Sequence, residues 1–217
     1  MILEVIAFTI SDCNLAQQTG ADRIELCADP AQGGTNPSYG FIKAARHILD
    51  IDLFVMIRPR GGDFIYSSEE YKIMQEDIKV CKQRGCDGIV LGILDSDGRV
   101  DKARCKRLVE LSYPLSVTFH RAFDRVADPF RSLEDIINIG CERILTSGQK
   151  DTAETGAELI KTLIQKAGDR IIIMPGSGIR GNNISSLAEK TGAREFHSSA
   201  RINNKLSIGE IKRMTGK

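Results

Sequence analysis

A carboxylate, a guanidinium and an imidazole occur at comparable places in this chain, each at the end of a short apolar run. They are Glu25 in RIELC, Arg58 in DLFVMIR and His120 in LSVTFHR. Side chains alternate across a β-strand, so the apolar parity of each run fixes where its polar residues point. In the third run, Leu115, Val117 and Phe119 share one face and turn Ser116, Thr118 and His120 to the other. The same rule opposes Phe54, Met56 and Arg58 to Leu53, Val55 and Ile57, and Glu25 and Cys27 to Ile24 and Leu26. In the first run it opposes Glu4 and Ile6 to Leu3 and Val5. If the polar parity faces an interior, an unpaired ion there costs on the order of several kcal/mol. Glu4, Glu25, Arg58 and His120 are therefore expected in one hydrogen-bonded network, with Glu25 brought toward Arg58. A carboxylate, guanidinium and imidazole together can do acid/base work, His120 moving a proton and Arg58 acting as an electrostatic clamp. A structural ion pair is the alternative reading of the same residues.

A second constellation lies near the end of the chain. Pro175-Gly176-Ser177-Gly178 follows an apolar run and precedes a helix opening at Asn182, and Ser198-Ser199 closes the last run. Glycines admit backbone N–H groups to a ligand, and a helix amino terminus adds partial positive charge. Gly176, Gly178, Ser198 and Ser199 are thus the expected cradle for a small anionic ligand, which Thr146-Ser147-Gly148 could extend; an ordinary tight turn is the plainer reading. The six cysteines show no CxxC pair and no zinc-type spacing with histidine, which predicts separate, reduced thiols.

These side chains need elements to hold them. Eight short β-rich runs (ILEVIAF, RIELCA, DLFVMIR, GIVLGI, LSVTFHR, RILTSG, IIIMP and EFHSS) alternate with helical patterns at 11–19, 37–49, 67–84, 101–111, 129–139, 152–166 and 182–190. Four helices end in a glycine just before the next strand, in TGADRIEL, RGCDGIVL, IGCERILT and TGAREFHS. Eight similar units without a flexible linker predict an α/β fold, one (β/α)8 barrel domain over residues 1–217, with its chemistry at the carboxyl ends of the strands. The tail after Arg201 is short for an eighth helix, so the last unit is expected to be abbreviated or completed by a partner subunit.

With 30 basic against 29 acidic residues, there is no bulk field to draw nucleic acid or an anionic membrane. A 41% hydrophobic, 27% charged composition is that of a soluble globular protein, and MILEVIAFTISDC lacks the marks of a signal peptide or membrane span. A cytoplasmic protein is expected.

In order, DRIELCADPAQGG, MIRPRGGDFIYS, VTFHRAFD, ERILTSGQ, IIMPGSGI and EFHSSAR resemble the CutC copper-homeostasis family along about residues 1–201. The resemblance implies a cytoplasmic (β/α)8 barrel, usually a homo-oligomer, with no agreed reaction. It also implies copper(I) held by two inward cysteines on the first two strands. Only Cys27 matches; Ile6 stands at the first-strand position, and Met56 is the other soft donor nearby. Two functions follow as expectations: copper homeostasis with copper(I) at Cys27, or a barrel enzyme acting on a small phosphorylated or carboxylated metabolite.

Overall fold

The computed structural model describes residues 1–216. Eight strands form the wall: β1 (Ile2–Ala7), β2 (Arg23–Leu26), β3 (Asp52–Met56), β4 (Gly88–Leu91), β5 (Ser116–Phe119), β6 (Arg143–Thr146), β7 (Ile172–Pro175) and β8 (Glu195–Ser198). Between them run α1 (Ile10–Gln18), α2 (Tyr39–Ile48), α3 (Ser68–Arg84), α4 (Lys102–Ser112), α5 (Pro129–Ile139), α6 (Ala157–Ala167) and α7 (Ile184–Thr191). Each strand pairs in parallel with its neighbours in the order β7-β6-β5-β4-β3-β2-β1-β8. The end strands β7 and β8 lie against each other without a shared ladder, leaving the barrel nearly closed.

The helix boundaries have local causes. Ser67 and Glu70 form a reciprocal capping box at the start of α3, and Asp128 accepts from the amides of Phe130 and Arg131 ahead of Pro129. The four glycines that precede strands all have positive φ, as helix-ending turns require. The sixth helix begins at Ala157, later than its sequence pattern, because Thr152 and Thr155 close a hydroxyl-bonded turn ahead of it. The tail completes its own unit: a hairpin of β9 (Arg201–Ile202) and β10 (Lys205–Leu206) leads into α8 (Ile208–Thr215). No partner subunit is needed to supply that helix.

Strand parity divides the buried residues as the sequence pattern predicts. Leu3, Val5, Ile24, Leu26, Leu53, Val55, Ile57, Val117 and Phe119 join the helices in the outer core. Ile6, Cys27, Phe54, Met56 and Val90 form a separate apolar cluster inside the barrel. The rest of the interior is charged, unlike the Val, Ile and Leu that usually fill such barrels. Register explains the arrangement, since Glu4 of β1 pairs with Arg23 on one side and with His197 on the other. Arg23 donates to Glu4 Oε2 at 2.6 Å and to Glu195 Oε2 at 2.7 Å, and Arg143 reaches the same Glu195 oxygen at 2.8 Å. Phe54 packs beneath both guanidinium groups, 4.7 Å from Arg23 and 5.3 Å from Arg143. Its ring fits because β4 offers Gly88, where a Cβ would stand 2.5 Å from the ring.

Removing one partner from a buried ion network strands the others in low dielectric. Arg23→Met is expected to destabilise the fold by about 3–5 kcal/mol, read as a lower urea midpoint.

Candidate active site at the carboxyl mouth

Above the charged layer, a cavity of about 80 Å³ opens at the carboxyl ends of the strands. Glu25, Arg58 and His120 all line it, together with Arg121, His197 and the apolar Ile6, Met56, Phe64 and Leu145. Three side-chain atoms in this lining are buried without a hydrogen-bond partner: Glu25 Oε1, Arg58 Nε and His120 Nε2. Buried polar groups are nearly always paired, and Arg58 has the Tyr66 hydroxyl beside it, so the two remaining orphans, Glu25 Oε1 and His120 Nε2, mark a place where a ligand would supply the partners.

His120 sits in a space left by Gly92, whose Cβ would stand 2.6 Å from Nδ1, and its ring stacks on Phe64 at 4.7 Å. Its Nδ1 accepts from the Ala122 amide at 3.2 Å, which places the proton of the neutral ring on the orphaned Nε2. Burial, reinforced by the charge of Arg58, lowers its pKa to about 3. His120 is therefore a fixed N–H donor at neutral pH, not the proton acceptor expected from sequence.

Glu25 behaves in the opposite sense. Burial raises its pKa against the attraction of His197, and the charge of Glu4 adds to the rise, to about 7. Its Oε2 accepts from the Cys27 thiol at 3.5 Å and lies 3.9 Å from His197 Nε2. The other ring nitrogen, Nδ1, is 2.8 Å from Glu4 Oε1. For Glu4, burial would raise the pKa, but the Arg23 charge and the His197 hydrogen bond prevail and lower it to about 2. His197 itself is raised: burial opposes its charge, and Glu25 and Glu4 outweigh burial. Beside it, Gly176 makes room for Leu145, whose Cδ1 would stand 2.5 Å from a Cβ there.

The expected pairing of Glu25 with Arg58 is not formed. Arg58 donates instead to the carbonyls of Gln32, Gly34 and Gly62 at 2.6, 2.9 and 3.2 Å, tying together the loops after β2 and β3. Two donors of the expected anion cradle serve the chain itself. The Gly176 amide donates to Thr146 O, and the Ser198 hydroxyl to Ile179 O. Ser199 accepts from Arg180 at 3.4 Å, and Gly178, at φ 76°, packs on Thr152. Glu210 of α8 accepts from the Gly181 amide ahead of α7, and Asp124 accepts from the amides of Ser147 and Gln149 after β6. Carboxylates of the protein thus flank the expected cradle, Glu210 ahead of α7 and Asp124 at the Thr146-Ser147-Gly148 extension.

Sequence reasoning missed Arg23, Arg143, Glu195 and His197. The signal was present, since Phe196 and Ser198 face out of β8 and thereby turn Glu195 and His197 inward, as Ile144 does for Arg143.

Copper(I) prefers paired thiolates or thioethers. Burial, with Glu25 beside it, pushes the Cys27 thiol well above its ordinary pKa, so it stays protonated. Ile6 fills the matching first-strand position; all six cysteines are free thiols, and the two that meet, Cys81 and Cys86, hydrogen-bond each other away from the barrel interior. Cys27 and Met56, neighbours in the interior cluster, leave copper(I) one protonated thiol and one thioether in place of a cysteine pair. Glu4, Glu25 and His197 each place a ligand atom within 4.8 Å of the others; Glu4 is committed to Arg23 and His197, and Glu25 stands 3.9 Å from His197 Nε2, beyond hydrogen-bond distance.

Fold and site together define a (β/α)8 barrel with an acid/base cluster at its carboxyl mouth. A family model described as the CutC family matches residues 1–202, and the chain belongs to that family. A CutC family protein of Chromobacterium violaceum is 50% identical, over 92% of this chain and 81% of its own length. A human protein named copper homeostasis protein cutC homolog is 48% identical, over 92% of this chain and 73% of its own. A copper homeostasis protein CutC structure from Streptococcus agalactiae superposes with a TM-score of 0.88 at 35% identity, covering 92% of this chain and 98% of that one. A thiamine phosphate pyrophosphorylase from Pyrococcus furiosus, at 14% identity and a TM-score of 0.67 over 98% of this chain and 93% of its own, shares the fold alone.

A carboxyl raised in the folded state favours folding below its unfolded pKa and loses that contribution as pH rises through the folded value. For Glu25 the window runs from 4.5 to about 7. Glu25→Gln should flatten the loss of stability across this window, measured by urea unfolding at pH 5 and pH 8.

Proposed function

We propose that this CutC family member serves copper homeostasis as a barrel enzyme that binds a small anionic metabolite in the carboxyl mouth, and not as a copper(I) chelator. The observation that carries the reading is that two residues lining one cavity, Glu25 and His120, each keep a buried and unpaired atom, Oε1 and Nε2, beside the Arg58 guanidinium. Roles follow from chemistry. Glu25, titrating near neutrality, is the proton acceptor; His120 Nε2–H is a donor aimed where a ligand oxygen would sit. Arg58 and Arg121 supply the positive charge that an anionic group would meet. The apolar lining keeps local dielectric low, which strengthens each of these contacts.

A cytoplasmic setting is part of this reading, in keeping with six free thiols. Among the described residues, no helix is long and apolar enough to cross a membrane.

Pyruvate, glycolate and inorganic phosphate form the test panel, titrated at pH 7 while the side-chain ¹⁵N signals of His120 are followed. At least one is expected to shift His120 Nε2 and raise the melting temperature, with both effects lost in His120→Phe. No response from any of the three would refute the reading. In a parallel competition with a calibrated chelator, copper(I) should bind no tighter than about micromolar, given one protonated thiol.

A further inference from the structure

We infer that His197 is the second acid/base group of the mouth, positioned by Glu4, and that together with Glu25 it enolises a small carbonyl compound carrying an anionic group. This rests on the proposed small-anion site and names the substrate class and the proton partners that the site implies.

The geometry separates three tasks among three side chains. Glu25 presents a free Oε1 to the cavity, while its Oε2 faces His197 Nε2 at 3.9 Å. His197 also lines the cavity, and its opposite nitrogen is anchored to Glu4 at 2.8 Å. Glu4 cannot swing away, because its other oxygen accepts from Arg23 at 2.6 Å. The imidazole is thus held between two carboxylates, one fixed below it and one facing the ligand. A carboxylate that accepts from one ring nitrogen orients the ring and favours its protonated form. His120 differs, being a neutral ring whose only free function is an N–H donor.

A base, an acid and a neutral oxygen-binding donor around one small cavity match the demands of proton abstraction next to a carbonyl. The Glu25 carboxylate takes the proton from the carbon beside the carbonyl. The C–H electron pair forms the carbon–carbon double bond, and the carbonyl π pair moves onto oxygen. The His120 N–H stabilises that oxygen, and the His197 imidazolium delivers its proton to it. The products are the enol, protonated Glu25 and neutral His197; reversal at either carbon restores both groups. No electron leaves or enters, so no redox partner is required.

The dimensions restrict the substrate. A cavity of about 80 Å³ holds roughly two to three water volumes, enough for the reacting end of a three-carbon molecule. Ile6, Met56, Phe64 and Leu145 contact its carbon atoms, and Arg121, with a side chain 44% exposed, stands at the rim for a terminal carboxylate or phosphate. Three charged groups act on His197: Glu4 from β1, Glu25 from β2, and Arg121 from the turn after β5. The two carboxylates favour the imidazolium and the guanidinium opposes it.

The test uses the full chain in D₂O with pyruvate and with dihydroxyacetone phosphate, following loss of substrate C–H signals by ¹H NMR. Protein-dependent deuterium exchange is expected with at least one probe, and Glu25→Gln should slow it by about 100-fold or more. His197→Gln should slow it by a similar factor. Glu4→Gln should retain measurable exchange with the His197 limb of the pH profile moved to lower pH, a change that simple loss of packing would not produce. Side-chain ¹⁵N spectra provide a readout without ligand: His197 should carry both ring protons at pH 6, and His120 one. Exchange absent with both probes although they bind would overturn the inference and leave the anion site standing. Failure of both probes to bind would overturn the inference, and the anion site falls with it only when glycolate and inorganic phosphate also fail. A singly protonated His197 at pH 6 would remove it as the acid.

Discussion

The interior is organised by the position of Arg23 between two buried carboxylates. Glu4 and Glu195 reach it from β1 and β8, the strands beside and beyond its own. Such an arrangement is tolerable only because every member is paired: Arg143 shares Glu195, and Phe54 covers both guanidinium groups. Once Glu4 is fixed in this way, its second oxygen can hold His197, and His197 in turn faces Glu25. The polar base of the barrel is therefore what aims the mouth. An apolar base of Val and Ile would fold the same barrel and leave His197 without orientation.

The copper expectation and the site chemistry diverge at two residues. Ile6 removes a sulfur from the first strand, and Glu25 keeps the remaining thiol of Cys27 protonated as a hydrogen-bond donor. Both changes make Cys27 part of the carboxylate's surroundings. The family relationship holds over residues 1–202 and fixes the fold. The metal site is a matter of particular side chains, and Ile6 with a protonated Cys27 departs from the cysteine pair that the family resemblance implies.

Much of this was legible in the sequence, because parity along a strand is a strict two-residue alternation. It turned Glu25, Arg58 and His120 inward, and the glycines before four strands marked the helix ends. The same rule extended to EFHSS would have revealed His197. What the pattern could not show was partner choice, since three loop carbonyls compete successfully for Arg58, and no strand pattern encodes a loop carbonyl's position. The glycine turns misled for a related reason. Gly176 makes room for Leu145 inside the barrel, whereas sequence alone suggested access to backbone amides. The state of His120 depended on the Ala122 amide, a contact set by the turn after β5.

The central claim is that one interior carboxyl titrates near neutrality at the mouth while its neighbour below stays ionised. Carboxyl ¹³C NMR of glutamate-labelled protein measures this directly. A resonance lost in Glu25→Gln should titrate at about pH 7, and one lost in Glu4→Gln should remain ionised down to about pH 2. A Glu25 midpoint near the ordinary carboxyl value of 4.5 would contradict the account, leaving the mouth with a plain carboxylate and no group poised to exchange a proton at neutral pH.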